Sequence, residues 1–193
     1  MRTADIRRTT KETDIHVKLQ LDGSGVAHIQ THIGFFDHML TALSVHSGID
    51  LDIQVTGDLH VDCHHSIEDT GIVLGQAFSK ALGDKSGICR YGTAFIPMDE
   101  ALGFACLDIS ARPFLVFHCN FTADRIGDMD TQMVEEFFRA FAFHAGITLH
   151  IKSEYGKNDH HQVEALFKAV AHALKQAIKP LETNQPLSTK GVL

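Results

Sequence analysis

Apolar and polar residues alternate over several short stretches of this chain, which is the pattern of strands with one buried face. Residues 15–21, 26–33 and 51–55 follow this pattern, and so do residues 115–121 and 149–151 in the second half. An Asp-Gly-Ser-Gly turn separates the first two stretches. Because the links between such stretches are short, we expect mostly antiparallel pairing.

Four further segments carry their apolar residues at helical spacing. The spacing predicts helices over residues 36–46, 63–82, 130–144 and 158–178. Gly83 follows the second of these segments and is expected to end that helix, since Gly readily adopts the conformation required after a helix. Each half of the chain therefore reads β-β-α-β-α.

The two halves repeat one sequence plan. At a shift of 98 residues, segment 37–53 aligns with segment 135–151, with matching apolar, His and Gly positions. We therefore expect a single domain, residues 1–193, built from two repeats of about 1–88 and 89–193. The expected fold class is α+β, in which each half forms a mostly antiparallel sheet with helices packed on one face.

The composition narrows the functional classes. The chain has 193 residues, 14 of them His, and its formal net charge is −7, which argues against a nucleic-acid partner. No apolar run approaches the roughly 20 residues needed to span a bilayer, so we expect no membrane partner. The four Cys form no C-x-x-C pair, and we expect reduced thiols in a cytoplasmic protein.

The motif His-His-x-x-Glu occurs twice, at residues 64–68 and 160–164, in register at a shift of 96. Residues i and i+4 of a helix share a face, so the first His and the Glu of each copy form a pair of ligands for Mn, Fe or Zn. The second His of each copy points about 100° away, so each helix offers ligands to two ions. His38 and its counterpart Glu136 lie on the preceding helices, from which we expect them to help complete two sites.

Other charged groups are ambiguous when taken singly. Lys168 is the most informative, because it follows Glu164 by one helical turn on the metal-facing side. Glu12 lies at a strand edge, where an exposed solvating charge is the simpler interpretation. Taken singly, the remaining groups are more simply interpreted as solvated surface charges and as part of a polar tail. The candidates for a phosphate site are Arg90, Arg112, Lys168, Ser188 and Lys190.

Seven motifs, in order along nearly the whole chain, carry a family resemblance. They are T-K-E-T at 10–13, F-D-H-M-L at 36–40, D-C-H-H-S-I-E-D at 62–69, R-Y-G at 90–92, P-M-D-E-A at 97–101, N-D-H-H-Q-V-E-A-L-F-K-A at 158–169 and S-T-K-G-V-L at 188–193. With these motifs the chain resembles the imidazoleglycerol-phosphate dehydratase family of histidine biosynthesis, in its monofunctional form.

The resemblance implies a hydro-lyase that converts D-erythro-imidazole glycerol phosphate to imidazole acetol phosphate. It also implies two Mn²⁺ ions per active site and a homo-oligomer, a 24-mer whose metal sites are shared between subunits. The implied metal ligands are His38, His64, His65, Glu68, Glu136, His160, His161 and Glu164. The implied catalytic residues are Glu12, Glu68, Glu164 and Lys168. The implied substrate-binding residues are Glu12, Arg90, Arg112, Lys168, Ser188 and Lys190.

The chain departs from the family pattern at three places. Many members carry His where this chain has Glu136, but a carboxylate also binds Mn²⁺, so Glu136 stays among the expected ligands. Arg112 stands in A-R-P rather than the commoner G-R-P. The pair Thr41-Ala42 replaces a frequent Asp-Gln, so any substrate contact from that Gln is absent.

The reaction expected of these residues is an elimination. Metal ions on both ring nitrogens would stabilise an imidazolate, Glu12 would remove the carbon-bound proton, and the basic groups would orient the phosphate. Two alternatives from other classes remain at this point. One is a dinuclear metallohydrolase acting on phosphoesters or amides, and the other is a non-catalytic metal-binding oligomer.

Overall fold

The computed structural model describes residues 1–183 and 185–189. Each half contains three strands, a helix, a fourth strand and a second, longer helix, and the second half has an additional short hairpin before its first helix. The elements of the first half are β1 (Thr3–Thr9), β2 (Thr13–Gln20), β3 (Ala27–Gln30), α1 (Gly34–Ser47), β4 (Asp50–Gly57) and α2 (His64–Leu82). Those of the second half are β5 (Tyr91–Met98), β6 (Ala101–Asp108), β7 (Phe114–His118), the short hairpin β8 (Arg125–Ile126) and β9 (Met129–Asp130), α3 (Met133–Ala145), β10 (Thr148–Tyr155) and α4 (Asp159–Ala177).

The two halves form two four-stranded sheets with the same topology. The strand orders are β1-β2-β4-β3 and β5-β6-β10-β7, and the last pair of each sheet is parallel while the others are antiparallel. The parallel pair arises because α1, or α3 in the second half, crosses between its two strands. The prediction of an α+β fold with duplicated, mostly antiparallel halves is confirmed.

Each four-stranded sheet has one more strand than the three per half that the sequence pattern predicted, because the edge strands β1 and β5 have weak apolar patterns. The inward positions of β1 include Ala4 and Arg8, so few large apolar residues mark its buried face. In β5 the aromatic residues point outward, and Gly92 points inward. A Cβ on Gly92 would lie 1.9 Å from the Ala173 carbonyl oxygen of α4, so this close approach excludes the side chain that would have revealed the strand.

The helices of one half pack against those of the other, so that they lie between the two sheets. Gly71 of α2 lies against Phe137 of α3, and Gly75 lies against Phe141, so these two helices run in the same direction. In the other pair, His38 and His46 of α1 are close to His160 and His172 of α4, which again is parallel packing. This packing sets the first turns of each helix pair side by side.

The outer faces of the two sheets differ, although their strand plans match. The outward residues of the first sheet are polar, whereas those of β5, β6 and β7 in the second sheet are largely apolar. The apolar outer-face residues of the second sheet are Tyr91, Phe95, Leu102, Phe104, Phe114 and Val116. Within the described part of the chain, no helix is both long and apolar enough to cross a membrane.

Candidate metal and substrate site

His38, His160 and Glu164 converge between the first turns of α1 and α4, where the parallel packing brings both helices together. One ligand atom from each lies within 4.8 Å of the others. The Glu164 carboxylate lies 3.5 Å from His38 Nε2 and 3.3 Å from His160 Nε2. Two imidazole nitrogens and a carboxylate form a donor set that suits Mn, Fe or Zn. Only this trio forms such a group among the residues that the structure describes.

Lys168 lies one turn beyond Glu164, as the helical spacing predicted. Its Nζ is 2.6 Å from Glu164 Oε1. Burial raises the pKa of the Glu164 carboxyl, but the hydrogen bond and charge of Lys168, together with His38, outweigh this effect and hold the pKa below its ordinary value. The carboxylate is therefore charged at neutral pH, which is the state that a cation needs.

The pseudo-equivalent residues at the start of α2 are less tightly grouped. His64 Nε2 lies 3.4 Å from Glu68 Oε2, so the first motif forms the same pair as His160 and Glu164. The parallel α2–α3 packing sets Glu136 on the first turn of the neighbouring helix. Among the described residues, Glu136 pairs with Arg139 at 3.4 Å instead of joining the His64–Glu68 pair.

The second His of each motif turns away from the first and meets a carboxylate. His65 Nδ1 lies 3.0 Å from Asp58 Oδ2, and His161 Nδ1 lies 2.8 Å from Glu100 Oε2. These hydrogen bonds are the main reason that the pKa values of both His lie above their ordinary value. Glu12 approaches the other nitrogen of the first ring, with 4.0 Å between its Oε1 and His65 Nε2.

The candidate anion-binding groups gather around Asp108, at the end of β6. Arg90 is buried and pairs with Asp108 at 2.6 Å, and Arg112 reaches the same carboxylate at 3.5 Å with an exposed side chain. Arg90 Nη1 also donates to the Leu187 carbonyl at 2.6 Å, which brings the segment containing Ser188 next to the arginines. Lys190 lies outside the described residues.

Two groups of residues lie at opposite ends of α4. They are the candidate metal ligands His38, His160 and Glu164, called the metal group, and the candidate anion-binding residues around Asp108, called the anion group. The Arg90 amide donates to the carbonyl of Ala177, the last residue of α4, whereas His160 lies in its first turn. At 1.5 Å per residue, these two points are roughly 25 Å apart along the helix. One chain therefore presents its candidate metal ligands and its arginines too far apart for a single small molecule.

His46 and His144 occupy matched positions of the repeat, at the shift of 98 residues, and neither joins His38, His160 and Glu164. The His46 ring is half-buried, 5.4 Å from the His172 ring, and burial is the largest of the causes that lower its pKa. His144 is exposed, and its Nδ1 donates to the Ala140 carbonyl at 2.9 Å.

Sequence reasoning missed Asp58 and Asp108 as partners of candidate site residues. Neither residue belongs to a motif with recognisable spacing. The one available signal was position, since Asp58 directly follows β4 and Asp108 ends β6. A polar residue at the end of a strand near a candidate site is therefore a candidate partner of a site residue, even when it belongs to no motif.

Comparisons with known proteins agree on one family. The family model described as imidazoleglycerol-phosphate dehydratase matches residues 31–174. A curated protein of that name from Gluconacetobacter diazotrophicus is 57% identical over 194 residues, covering 100% of this chain and 98% of the relative. One from Rhodopseudomonas palustris is 55% identical over 195 residues, covering 100% and 99%.

Solved structures give the same result. The crystal structure of imidazoleglycerol-phosphate dehydratase from Staphylococcus aureus is 41% identical, with a TM-score of 0.84 and coverage of 92% of this chain and 99% of that chain. The structure of the enzyme from Pyrococcus furiosus in complex with (S)-C348 is 40% identical, with a TM-score of 0.83 and coverage of 97% and 100%.

Proposed function

This chain belongs to the imidazoleglycerol-phosphate dehydratase family, and on that premise we propose that it performs the dehydration of imidazole glycerol phosphate with two bound Mn²⁺ ions. The observation that carries the metal proposal is the convergence of His38, His160 and Glu164 within 4.8 Å. The second ion would take its ligands from the other motif, with His64 and Glu68 as the matching pair.

The residues of the convergent trio fit a divalent ion by their chemistry. Glu164 is almost fully buried, yet it keeps its charge because Lys168 compensates it. A buried carboxylate beside two imidazoles is stable when a cation or a hydrogen-bonded partner balances its charge. When bound, Mn²⁺ would supply Lewis acidity toward the nitrogens of the substrate ring. The remaining proposed ligands are Glu136 and the two His that hydrogen-bond to carboxylates, His65 and His161.

The protein's own groups would hold and move the protons. We assign Glu12 as the base that removes the carbon-bound proton, because its carboxylate is exposed and lies 4.0 Å from His65 Nε2. Lys168 would keep Glu164 ionised and contribute a positive charge beside the reacting side chain. Glu68 and Glu164 act as the charged members of the two ligand pairs.

We further propose that each active site is assembled from more than one copy of this chain. Arg90, Arg112, Ser188 and Lys190 would bind the phosphate, but the two arginines lie roughly 25 Å from the metal group of the same chain. A substrate with a three-carbon spacer spans only about 8 Å. A homo-oligomer, such as a 24-mer with shared sites, brings arginines of one chain to the metal group of another.

The outer face of the second sheet supports such an assembly. Phe95 and Phe104 pack together there at 4.7 Å between ring centroids, and Tyr91, Phe95 and Phe114 are each more than half exposed. An exposed aromatic patch of this kind is typical of a surface that another chain covers. We place the protein in the cytoplasm, which its four free thiols support.

The test measures ketone formation from imidazole glycerol phosphate by metal-free protein before and after addition of Mn²⁺. We expect turnover only with Mn²⁺, and Glu164→Gln should lose both bound metal and turnover, while Glu154→Gln serves as the matched control. Full activity without metal would refute the proposal. Release of product from simple esters would point to a hydrolase, and metal binding without turnover to a storage oligomer.

A further inference from the structure

The second His of the motif has a carboxylate partner in both halves, but the partner comes from a different position of the repeat in each half. In the first half, the carboxylate on the second His of the motif comes from Asp58, which follows β4. In the second half, it comes from Glu100, which lies in the turn between β5 and β6. These two carboxylates occupy unrelated positions of the repeat, although they meet equivalent His residues.

The positions equivalent to Asp58 and Glu100 in the opposite halves show this difference. The position equivalent to Asp58, one residue beyond the matching strand β10, is Gly156, which has no side chain to offer. A Cβ there would lie 2.5 Å from Gln162, so the close packing excludes one. The position equivalent to Glu100, in the turn between β1 and β2, is Glu12, which lies 4.0 Å from the opposite nitrogen of His65.

From this asymmetry we infer that Asp58 and Glu100 are positioning residues, each holding the Nδ1 proton of its His so that Nε2 faces a metal ion. A neutral imidazole carries one proton, so a carboxylate on Nδ1 fixes the tautomer that leaves Nε2 free to bind. Because Asp58 performs this task in the first half, Glu12 is released for proton transfer. The inference rests on the proposed metal function, since it assumes that His65 and His161 bind through Nε2.

One substitution of Glu100 separates its proposed effect on the His161 ring proton from its hydrogen bonds to the backbone. Its Oε1 accepts the backbone N–H groups of Lys157 at 3.0 Å and Asn158 at 2.8 Å, whereas Oε2 faces His161. In Glu100→Gln, the amide oxygen keeps the two backbone donors, and the NH₂ group then faces Nδ1. An NH₂ group requires Nδ1 to be an acceptor, which moves the ring proton to Nε2 and blocks metal binding there.

At Asp58, replacement of the carboxylate by an amide is expected to have a smaller effect. Both of its carboxylate oxygens lie near His65 Nδ1, at 3.2 and 3.0 Å. In Asp58→Asn, the amide can turn its oxygen toward Nδ1 and keep the required tautomer. The inference therefore expects Asp58→Asn to be mild and Asp58→Ala to be severe, whereas Glu100→Gln is already severe.

The experiment titrates the full-length, metal-free variants with Mn²⁺ and follows free Mn²⁺ by electron paramagnetic resonance. We expect Glu100→Gln and Asp58→Ala each to weaken one class of sites by roughly 10- to 100-fold, while Asp58→Asn and the control Glu154→Gln bind as the parent protein does. Thermal unfolding with chelator should match the parent for Glu100→Gln.

The outcomes separate the inference from the function on which it rests. If the parent protein binds no Mn²⁺, the proposed function fails. If the parent binds Mn²⁺ and Glu100→Gln binds it equally well, the positioning role is refuted. Loss of both classes of sites, with a lower unfolding temperature of the metal-free variant, would also refute it, because Glu100 would then only hold the start of α4.

Discussion

At the scale of single residues, Asp14 and Glu12 show how surroundings give two nearby carboxylates different tasks. Arg7 and Thr9 donate to Asp14, with Arg7 Nη2 at 2.6 Å and Thr9 Oγ1 at 2.8 Å, and these hydrogen bonds lower its pKa to about 2. The Glu12 side chain is 55% exposed, with His65 Nε2 at 4.0 Å. Asp14 thus stabilises the β1–β2 hairpin, while Glu12 is available to a substrate.

The Glu12→Gln variant tests this difference through catalysis. The amide has the shape of the carboxylate but cannot accept the proton, so we expect turnover to fall by about 10²- to 10⁴-fold. Metal content and substrate affinity should stay close to those of the parent protein, because Glu12 is not among the proposed metal ligands. Single-turnover kinetics with Mn²⁺ quantification measure both. A variant that keeps full turnover would exclude Glu12 as the base.

The Asp14→Asn variant tests the other carboxylate through pH. Because the pKa of Asp14 is lowered by folding, its contribution to stability is complete above the unfolded value, about 3.8, and is lost as the pH falls through about 2. We expect a modestly lower Tm at pH 7, and a gap to the parent that closes as the pH falls from 4 toward 2. Asp128→Asn, in an exposed turn, should show no such closure.

At the scale of elements, the α2–α3 contact depends on glycine. A Cβ on Gly71 would lie 2.7 Å from the Phe137 carbonyl oxygen and 2.9 Å from Ala140 Cβ, so the two helices approach closely only without a side chain there. This approach sets the first turn of α3 beside the first turn of α2, where the first His-His-x-x-Glu motif begins.

The Gly71→Ala variant should therefore destabilise the protein, although Ala favours helix by about 1 kcal/mol in an open position. Overpacking between two helix backbones costs about 1–3 kcal/mol, so after the gain in helix propensity we expect a net loss of up to about 2 kcal/mol. Denaturant unfolding measures it. Gly34→Ala is the matched control, since a Cβ at this first residue of α1 meets nothing within 4 Å. Equal stability of the two variants would contradict the close-packing argument.

The same elements show what a sequence can predict about this site. The pairing of His160 with Glu164, and of Lys168 with Glu164, followed from helical spacing, because i and i+4 neighbours depend on one local geometry. The meeting of His38 with α4 required the packing of two helices far apart in sequence. Glu100 reaches His161 from the turn between β5 and β6, and no periodicity of the sequence encodes that contact.

At the scale of the whole molecule, the positions of the candidate site residues along α4 lead to the proposed assembly. The metal group occupies the first turns of α4, and the arginines gather near Ala177 at its other end. Because a small substrate cannot span roughly 25 Å, the proposed function requires that the two groups facing one substrate belong to different chains. In a mixed oligomer, a chain with an intact metal group and a chain with intact arginines would then form a complete site together, although each chain carries a substitution.

Co-expression of Glu164→Gln with Arg112→Ala tests this directly. Each variant alone should be nearly inactive, because the first lacks a ligand of the metal group and the second lacks an exposed phosphate contact. In a randomly mixed oligomer, about a quarter of the sites combine an intact metal group from one chain with an intact arginine from another. We therefore expect about a quarter of the parent turnover.

Co-expression of Glu164→Gln with His160→Asn should restore no turnover, because both substitutions lie in the metal group. A mixture of Glu164→Gln and Arg112→Ala that is no more active than its components would refute shared sites.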